Sequence, residues 1–144
     1  MKLKIKNSSH HPLPTYETQG SSGMDLRAFL KAPVTLRPLE RRLIPTGLFI
    51  EIPEGYEGQV RPRSGMSIKH GISLVNCVGT IDSDYRGELS IPVINLSEEA
   101  FTLNDGDRIA QLVIAKYERV EIEISEDLSQ TERGAGGFGS TGKA

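Results

Sequence analysis

The sequence predicts an all-β sandwich or barrel, and three observations predict it. Glycine and proline, 15 and 8 of 144 residues, interrupt the chain every few positions up to about residue 106. That leaves few windows of the ten or more residues that a packed helix usually needs. The intervals hold short runs that alternate apolar with polar residues or are rich in β-branched ones, as half-buried and fully buried strands do. Leu, Ile, Val and Phe supply 38 of the 144 residues, about 26% and above the roughly 20% below which disorder is expected. Many short strands between turn residues point to a sandwich or barrel.

Taken in order, Leu3-Lys4-Ile5-Lys6 alternates and opens the chain as a strand. Residues 21–28 form an apolar, strand-like run that carries one carboxylate, Asp25. Ile50-Glu51-Ile52 alternates again. Residues 64–71 have room for one or two helical turns, with Ser64 as the N-cap and Gly71 as the stop. Residues 72–75, 89–95 and 109–115 read as more fully buried strands, and Asn76 and Gly79 suit a hairpin turn with an exposed backbone edge. Residues 107–133 lack Gly and Pro altogether. Helix is the alternative there, but the alternation of Val120-Glu121-Ile122-Glu123-Ile124 favours strand. Large apolar residues nearly vanish after Asp127. The chain therefore divides into a β domain, 1–128, and a C-terminal arm, 129–144, which holds five of the 15 glycines. Composition alone reads the arm as a disordered tail.

The net charge of −2 argues against a duplex nucleic-acid binder, which normally carries a basic excess. One cysteine forms neither an internal disulfide nor a multi-cysteine zinc site. No apolar run approaches the ~18 residues of a membrane span, and the N-terminal MKLKIKNSSHHPLP has no apolar signal-peptide core. The chain reads as a soluble cytoplasmic protein without a membrane partner. His10, His11 and His70 lack metal-ligand spacing, and an extended chain would send His10 and His11 to opposite faces, so no metal is assigned to them.

Five segments carry groups that can do chemistry. In Arg133-Gly134-Ala135-Gly136-Gly137-Phe138-Gly139-Ser140-Thr141-Gly142, successive glycine amides can nest an anion and Arg133 offers a guanidinium fork for phosphate. Ser140 and Thr141 add hydroxyl donors, and Phe138 can stack on a nucleobase. Residues 137–143 have the spacing of a Walker loop, but Ala144 stands where Ser or Thr is required, and that reading fails. Pro62-Arg63-Ser64-Gly65 enters a helical turn, either an anion site or an ordinary capped turn. In Asn76-Cys77-Val78-Gly79-Thr80-Ile81-Asp82-Ser83-Asp84-Tyr85, Asp82 and Asp84 are each a candidate general base or metal ligand. Spacing does not choose between them, nor against two turn-forming aspartates. Asp25 and Gln111 are polar groups inside apolar runs and need partners, whether structural or substrate.

Together and in this order, these segments resemble the homotrimeric deoxyuridine triphosphatases (dUTP diphosphatases). SSGMDLRA, RPRSGMSIKHGI, NCVGTIDSDYRGEL, DGDRIAQLVI and RGAGGFGSTG are similar to the family's first to fifth motifs, spanning residues 21–142. Ser22, Met24 and Met66-Ser67-Ile68 sit where the family varies.

The resemblance implies a jelly-roll-like (β-clip) subunit with one short helix and a flexible C-terminal arm. It implies a threefold trimer whose active sites draw on all three chains. The first, second and fourth motifs come from one subunit, the 76–81 hairpin from a second and the arm from the third. It implies hydrolysis of dUTP to dUMP and pyrophosphate, with Mg²⁺ as cofactor. Asp82 then matches the catalytic carboxylate that activates water, and Asp25 the carboxylate that holds Mg²⁺ through water. Arg63, Ser64, Gly65, Gln111, Arg133, Gly139, Ser140 and Thr141 match phosphate-binding positions. Asn76, Gly79, Thr80, Ile81, Tyr85 and Phe138 match the positions around uracil and deoxyribose. A dCTP deaminase of the same superfamily and a non-catalytic nucleotide-binding regulator are the competing readings.

Overall fold

A computed structural model describes residues 1–137. Ten strands and one helix follow one another: β1 (Lys4–Asn7), β2 (Gly23–Arg27), β3 (Val34–Leu36), β4 (Arg41–Glu51), β5 (Tyr56–Arg61), α1 (Ser64–His70), β6 (Ile72–Leu74), β7 (Gly79–Ile81), β8 (Glu88–Asn95), β9 (Phe101–Leu103) and β10 (Arg108–Lys116). They form two four-stranded sheets, ordered β1-β4-β8-β6 and β2-β10-β5-β7, and a two-stranded ribbon, β3-β9. Every pairing is antiparallel.

The core follows from period-2 patterning. Along β8, Leu89, Ile91, Val93 and Asn95 are buried in strict alternation. The three apolar ones join Leu26, Ile44, Ile72, Ile109 and Leu112 in one continuous apolar cluster that includes strands of both four-stranded sheets. Each fully buried Leu or Ile contributes about 1.5–3 kcal/mol. Asn95, although completely buried, spends its amide fully. Nδ2 donates to the carbonyls of Leu36 (3.0 Å) and Glu99 (2.7 Å), while Oδ1 accepts from the N–H and hydroxyl of Ser97 (2.9 and 2.7 Å). It ties the β3 ribbon to the end of β8.

The strands expected at residues 3–6, 72–75, 89–95 and 109–115 are present within one or two residues, whereas the alternation at 50–52 marks only the end of β4, which begins at Arg41. Three expectations need correction. Ser64 is the first helical residue and not the cap: Arg63 takes that place, extended at φ −92° and ψ 129°, and no side chain caps the helix. Gly71 does stop the helix, at φ 65°, where its N–H reaches back to the carbonyls of Met66 and Ser67. A Cβ there would also lie 2.8 Å from Ser97.

Second, Asn76 and Gly79 do not turn a hairpin. The chain leaves β6, which pairs with β8, and enters β7, which pairs with β5 in the other sheet. The physical reason is that a three-residue strand takes the partner that buries its apolar side, and those partners lie in different sheets. Third, residues 120–124 form no strand, and β10, ending at Lys116, is the last strand among the described residues. Val120, Ile122 and Ile124 are 77%, 87% and 97% exposed, because no strand in the described chain faces them.

Candidate active site

One group of polar side chains stands on the β2-β10-β5 part of its sheet. Gln111 of β10 sits opposite Asp25 of β2 on one side and Arg61 of β5 on the other, so all three side chains share one face. Asp25 is clamped from both sides. Oδ1 accepts from Arg63 Nε at 2.7 Å and Oδ2 from Arg108 Nη1 at 3.0 Å. Arg63 Nη1 also donates to the Arg108 carbonyl at 3.2 Å. One carboxylate against two guanidiniums leaves this cluster net positive, which favours an anionic ligand.

Gln111 is held by its Nε2–H on the Pro62 carbonyl (3.0 Å). Its amide end lies over Gly23, where a Cβ would be 2.3 Å from Oε1 and would turn the amide aside. Ser64 and Gly65 begin α1 next to this cluster, both exposed, and nothing lies within 4 Å of where a Cβ on Gly65 would be. Asp25, Arg63, Ser64, Gly65 and Gln111 are thus brought together.

A second group forms where β7 ends. β7 is the outer strand of its sheet, so Gly79–Ile81 keeps one backbone edge without a strand partner among the described residues. Asn76 folds back over Gly79, its Nδ2 lying 3.2 Å from where a Cβ on that glycine would be. Thr80, Ile81, Asp82 and Tyr85, with Leu43 and Glu88, line a cavity of about 420 Å³. A larger hollow of about 650 Å³ lies on the other side, lined by Asp82, Asp84, Arg86, Glu51, Tyr117 and Arg119 among others. Asp82 borders both, whereas Asp84 borders only the larger. Tyr85 is half-exposed, and its hydroxyl donates to the Glu88 carbonyl at 3.1 Å. Its ring lies over Gly87, where a Cβ would be 2.2 Å from the phenolic oxygen.

The two groups are far apart on one chain. Asp25 is level with Arg61, whereas Asp82 follows Ile81, whose partner is Gly58. With ~3.3 Å per residue and ~4.8 Å between strands, they stand about 13 Å apart along the strands and about 14 Å across them. Two short carboxylate side chains cannot meet on one phosphate across that gap.

Arg133 joins neither group: it donates from Nε to the Gly136 carbonyl at 2.8 Å, within its own segment. Phe138, Gly139, Ser140 and Thr141 lie outside the described residues. Sequence reasoning missed Arg108, Gly23 and Gly87. A glycine inside a strand pattern marks a close approach, and that signal was available at Gly23.

A net-positive cluster and a cavity of about 420 Å³ beside an open sheet edge mark an all-β protein suited to a small anionic ligand. The sequence profile described as dUTPase matches residues 9–142. The deoxyuridine 5′-triphosphate nucleotidohydrolase of Finegoldia magna is 64% identical over 142 residues, 99% of each chain. That of Bdellovibrio bacteriovorus is 56% identical over 144 residues, 100% of this chain and 97% of its own. The chain belongs to the dUTPase family. Among solved structures, a dUTPase of Staphylococcus bacteriophage 80alpha with dUPNHPP superposes with a TM-score of 0.90 at 30% identity, covering 99% of both chains. A mutant dUTPase of phage phi11 of S. aureus, described as revealing the coordination of a structural Mg(II) ion, gives 0.81 at 25% identity, covering 90% of this chain and all of that one.

Proposed function

We infer that this chain hydrolyses dUTP to dUMP and pyrophosphate, keeping uracil out of DNA and supplying dUMP for thymidylate synthesis. Membership of the dUTPase family supports the reaction. The observation that carries the site is the separation of two half-sites on one chain, an anion cluster at Asp25 and a nucleoside-sized cavity at Asp82 and Tyr85.

In this reading Asp82 holds a water in line with the α-phosphorus and takes its proton as the new P–O bond forms. The bond from the α-phosphorus to the bridging oxygen breaks, and the electron pair leaves with pyrophosphate. A carboxylate is a weak base, so most of its effect is positioning. Arg63, Ser64, Gly65 and Gln111 bind phosphate oxygens. The open edge at Gly79, Thr80 and Ile81, with Asn76, pairs with the polar edge of uracil. Cytosine presents a donor where uracil presents an acceptor, and a buried mismatch of that kind costs a factor of ~10⁴–10⁵. Tyr85 packs on the deoxyribose and leaves no room for a 2′-hydroxyl.

Mg²⁺ belongs to this reading as the companion of the triphosphate. Both Asp25 oxygens already accept guanidinium N–H groups, and two of about four lone-pair positions remain. The net-positive cluster fits the magnesium–triphosphate complex, which is anionic as a whole, and the remaining lone pairs of Asp25 would hold the hydrated ion through water. When bound it supplies charge neutralisation for the departing pyrophosphate.

The same separation supports more than one chain per site, and family resemblance makes the assembly a homotrimer in this reading. One subunit contributes the Asp25 cluster, a second the Asp82 and Tyr85 edge, and a third the arm, 129–144, through Arg133, Phe138, Gly139, Ser140 and Thr141. The exposed alternation of Val120, Ile122 and Ile124 supports a neighbouring chain as its cover. The β domain ends at 128 in this reading, and the enzyme works in the cytoplasm, where a lone exposed cysteine stays reduced.

Two measurements test it. Pyrophosphate release from dUTP, set beside UTP, dTTP and dCTP, is expected for dUTP alone; ammonia from dCTP would indicate a deaminase, and binding without turnover a regulator. Refolding Asp82→Asn with Gln111→Ala chains in equal amounts should revive about a quarter of the sites if each site joins two chains. No revival would place the whole site on one chain.

A further inference from the structure

His10, His11 and Asp105 converge at one point of the surface, away from the Asp82 cavity. The segment after β1 is not extended. Asn7 turns it, accepting from the N–H and hydroxyl of Ser9 (2.9 and 2.7 Å) and donating from Nδ2 to the His11 carbonyl (2.8 Å). Both imidazoles consequently face the β9–β10 turn, contrary to the opposite-face expectation. His10 Nε2 is 2.8 Å from Asp105 Oδ2, and His11 Nε2 is 2.9 Å from Asp105 Oδ1.

We propose that His10, His11 and Asp105 form a binding site for a borderline divalent transition-metal ion of the zinc class. Two imidazoles and a carboxylate are the donor set such ions choose, and nitrogen ligands disfavour Mg²⁺ and Ca²⁺. The three donor atoms already lie within 4.8 Å of one another. Ligand bonds of about 2.0–2.1 Å at tetrahedral angles separate donors by roughly 3.3 Å. The two imidazole–carboxylate contacts need to open by about half an ångström and the widest donor pair to close by up to about 1.5 Å, and the His10 side chain, 65% exposed, is free to make that adjustment. The rest is braced. The Leu30 N–H donates to Asp105 Oδ1 at 2.8 Å, which fixes the carboxylate as outer partners of metal ligands do. That N–H, with help from His11, also draws the Asp105 pKa down to about 2, so the ligand is an anion. Phe29 packs edge-on against both rings, at 5.4 and 6.2 Å between centroids. His11 lies over Gly106, where a Cβ would be 3.2 Å from Cε1. On binding, each ring keeps one proton, moved from Nε2 to Nδ1.

The ion would clip the N-terminal segment to the turn that leads into Arg108 and Gln111. Arg27 extends the connection, donating from Nη1 to the Gly106 carbonyl at 2.9 Å. Three protein ligands leave a fourth position for water.

The test is titration of the full-length, chelator-treated protein with Co²⁺, read by its visible absorption, with Zn²⁺ as competitor and Mg²⁺ in excess throughout. One equivalent per chain is expected, displaced by Zn²⁺. His10→Gln and Asp105→Asn should each weaken binding at least about tenfold, while His70→Gln and Asp25→Asn leave it unchanged. His10→Gln is an exposed change that should keep the fold by circular dichroism, and its activity with Mg²⁺ should match the parent. Absence of a saturable equivalent, unchanged binding in His10→Gln, or loss of binding in Asp25→Asn would overturn the proposal.

Discussion

Gly87→Ala tests the Tyr85 assignment without touching a group that meets substrate. The added Cβ would sit 2.2 Å from the phenolic oxygen of Tyr85, 2.5 Å from Cζ and 2.9 Å from Cε2. Reaching an ordinary contact of about 3.4 Å moves the ring's end by at least about 1.2 Å. That displacement breaks the hydrogen bond from Tyr85 to the Glu88 carbonyl, now 3.1 Å. An exposed bond of this kind is worth about 0.5–1 kcal/mol. Replacing glycine returns a similar amount by restricting the unfolded chain. Stability should therefore change little, and the effect should appear in kinetics. A misplacement near 1 Å costs up to ~10²-fold, about 2.7 kcal/mol. Steady-state pyrophosphate release should show kcat/KM for dUTP reduced by roughly 10–100-fold, with the dUTP:UTP ratio reduced as well. In a Tyr85→Ala background the same substitution should do almost nothing, since its effect passes through the ring. An unchanged dUTP:UTP ratio, or full additivity with Tyr85→Ala, would refute the reasoning.

Asp82→Asn should bind dUTP close to normally and turn it over barely at all, by calorimetry beside pyrophosphate release; near-normal turnover would remove Asp82 as the base. Deleting residues 133–144 should leave the melting temperature and sedimentation unchanged and abolish most activity, since in the proposed reading this stretch serves a site on neighbouring chains and Arg133 joins neither half-site of its own. Asp105→Asn should flatten the acid side of the stability curve. The folded pKa, about 2, lies below the ordinary 3.8 because the Leu30 N–H and His11 hold the anion. Its stabilisation is therefore complete above about pH 4 and lost as pH falls through 2. Melting temperatures between pH 5 and 2 should fall less steeply in the variant, and parallel curves would contradict it.

The fold class was legible because the strands that form the core carry their own pattern. Residues 89–95 and 109–115 are apolar enough to demand burial whatever their neighbours. The destination of β6 and β7 was not legible. Each has three residues, too few for local preference to choose a sheet, and long-range packing sends them to different ones. Spacing could not choose between Asp82 and Asp84 for a similar reason, and only the family resemblance selected Asp82. Two turn residues of one type differ only in the cavity each borders, and that depends on Leu43 and Glu88, distant in sequence or on the next strand. Polar residues in apolar runs were the readable part of the site. Asp25 and Gln111 had to find partners, and the register places them opposite each other.

The alternation at 120–124 was read correctly as a pattern and wrongly as a strand within the chain. Apolar side chains at every second position keep their demand for burial wherever the chain goes. Here they lie almost fully exposed beyond the last strand, while the two halves of the site lie too far apart to close on one phosphate. An unmet demand for burial and an unmet demand for proximity both favour the proposed assembly of further copies of the same chain. In the trimer proposed above, neighbouring chains meet both demands, one covering Ile122 and Ile124 and one bringing the Asp25 cluster to Asp82.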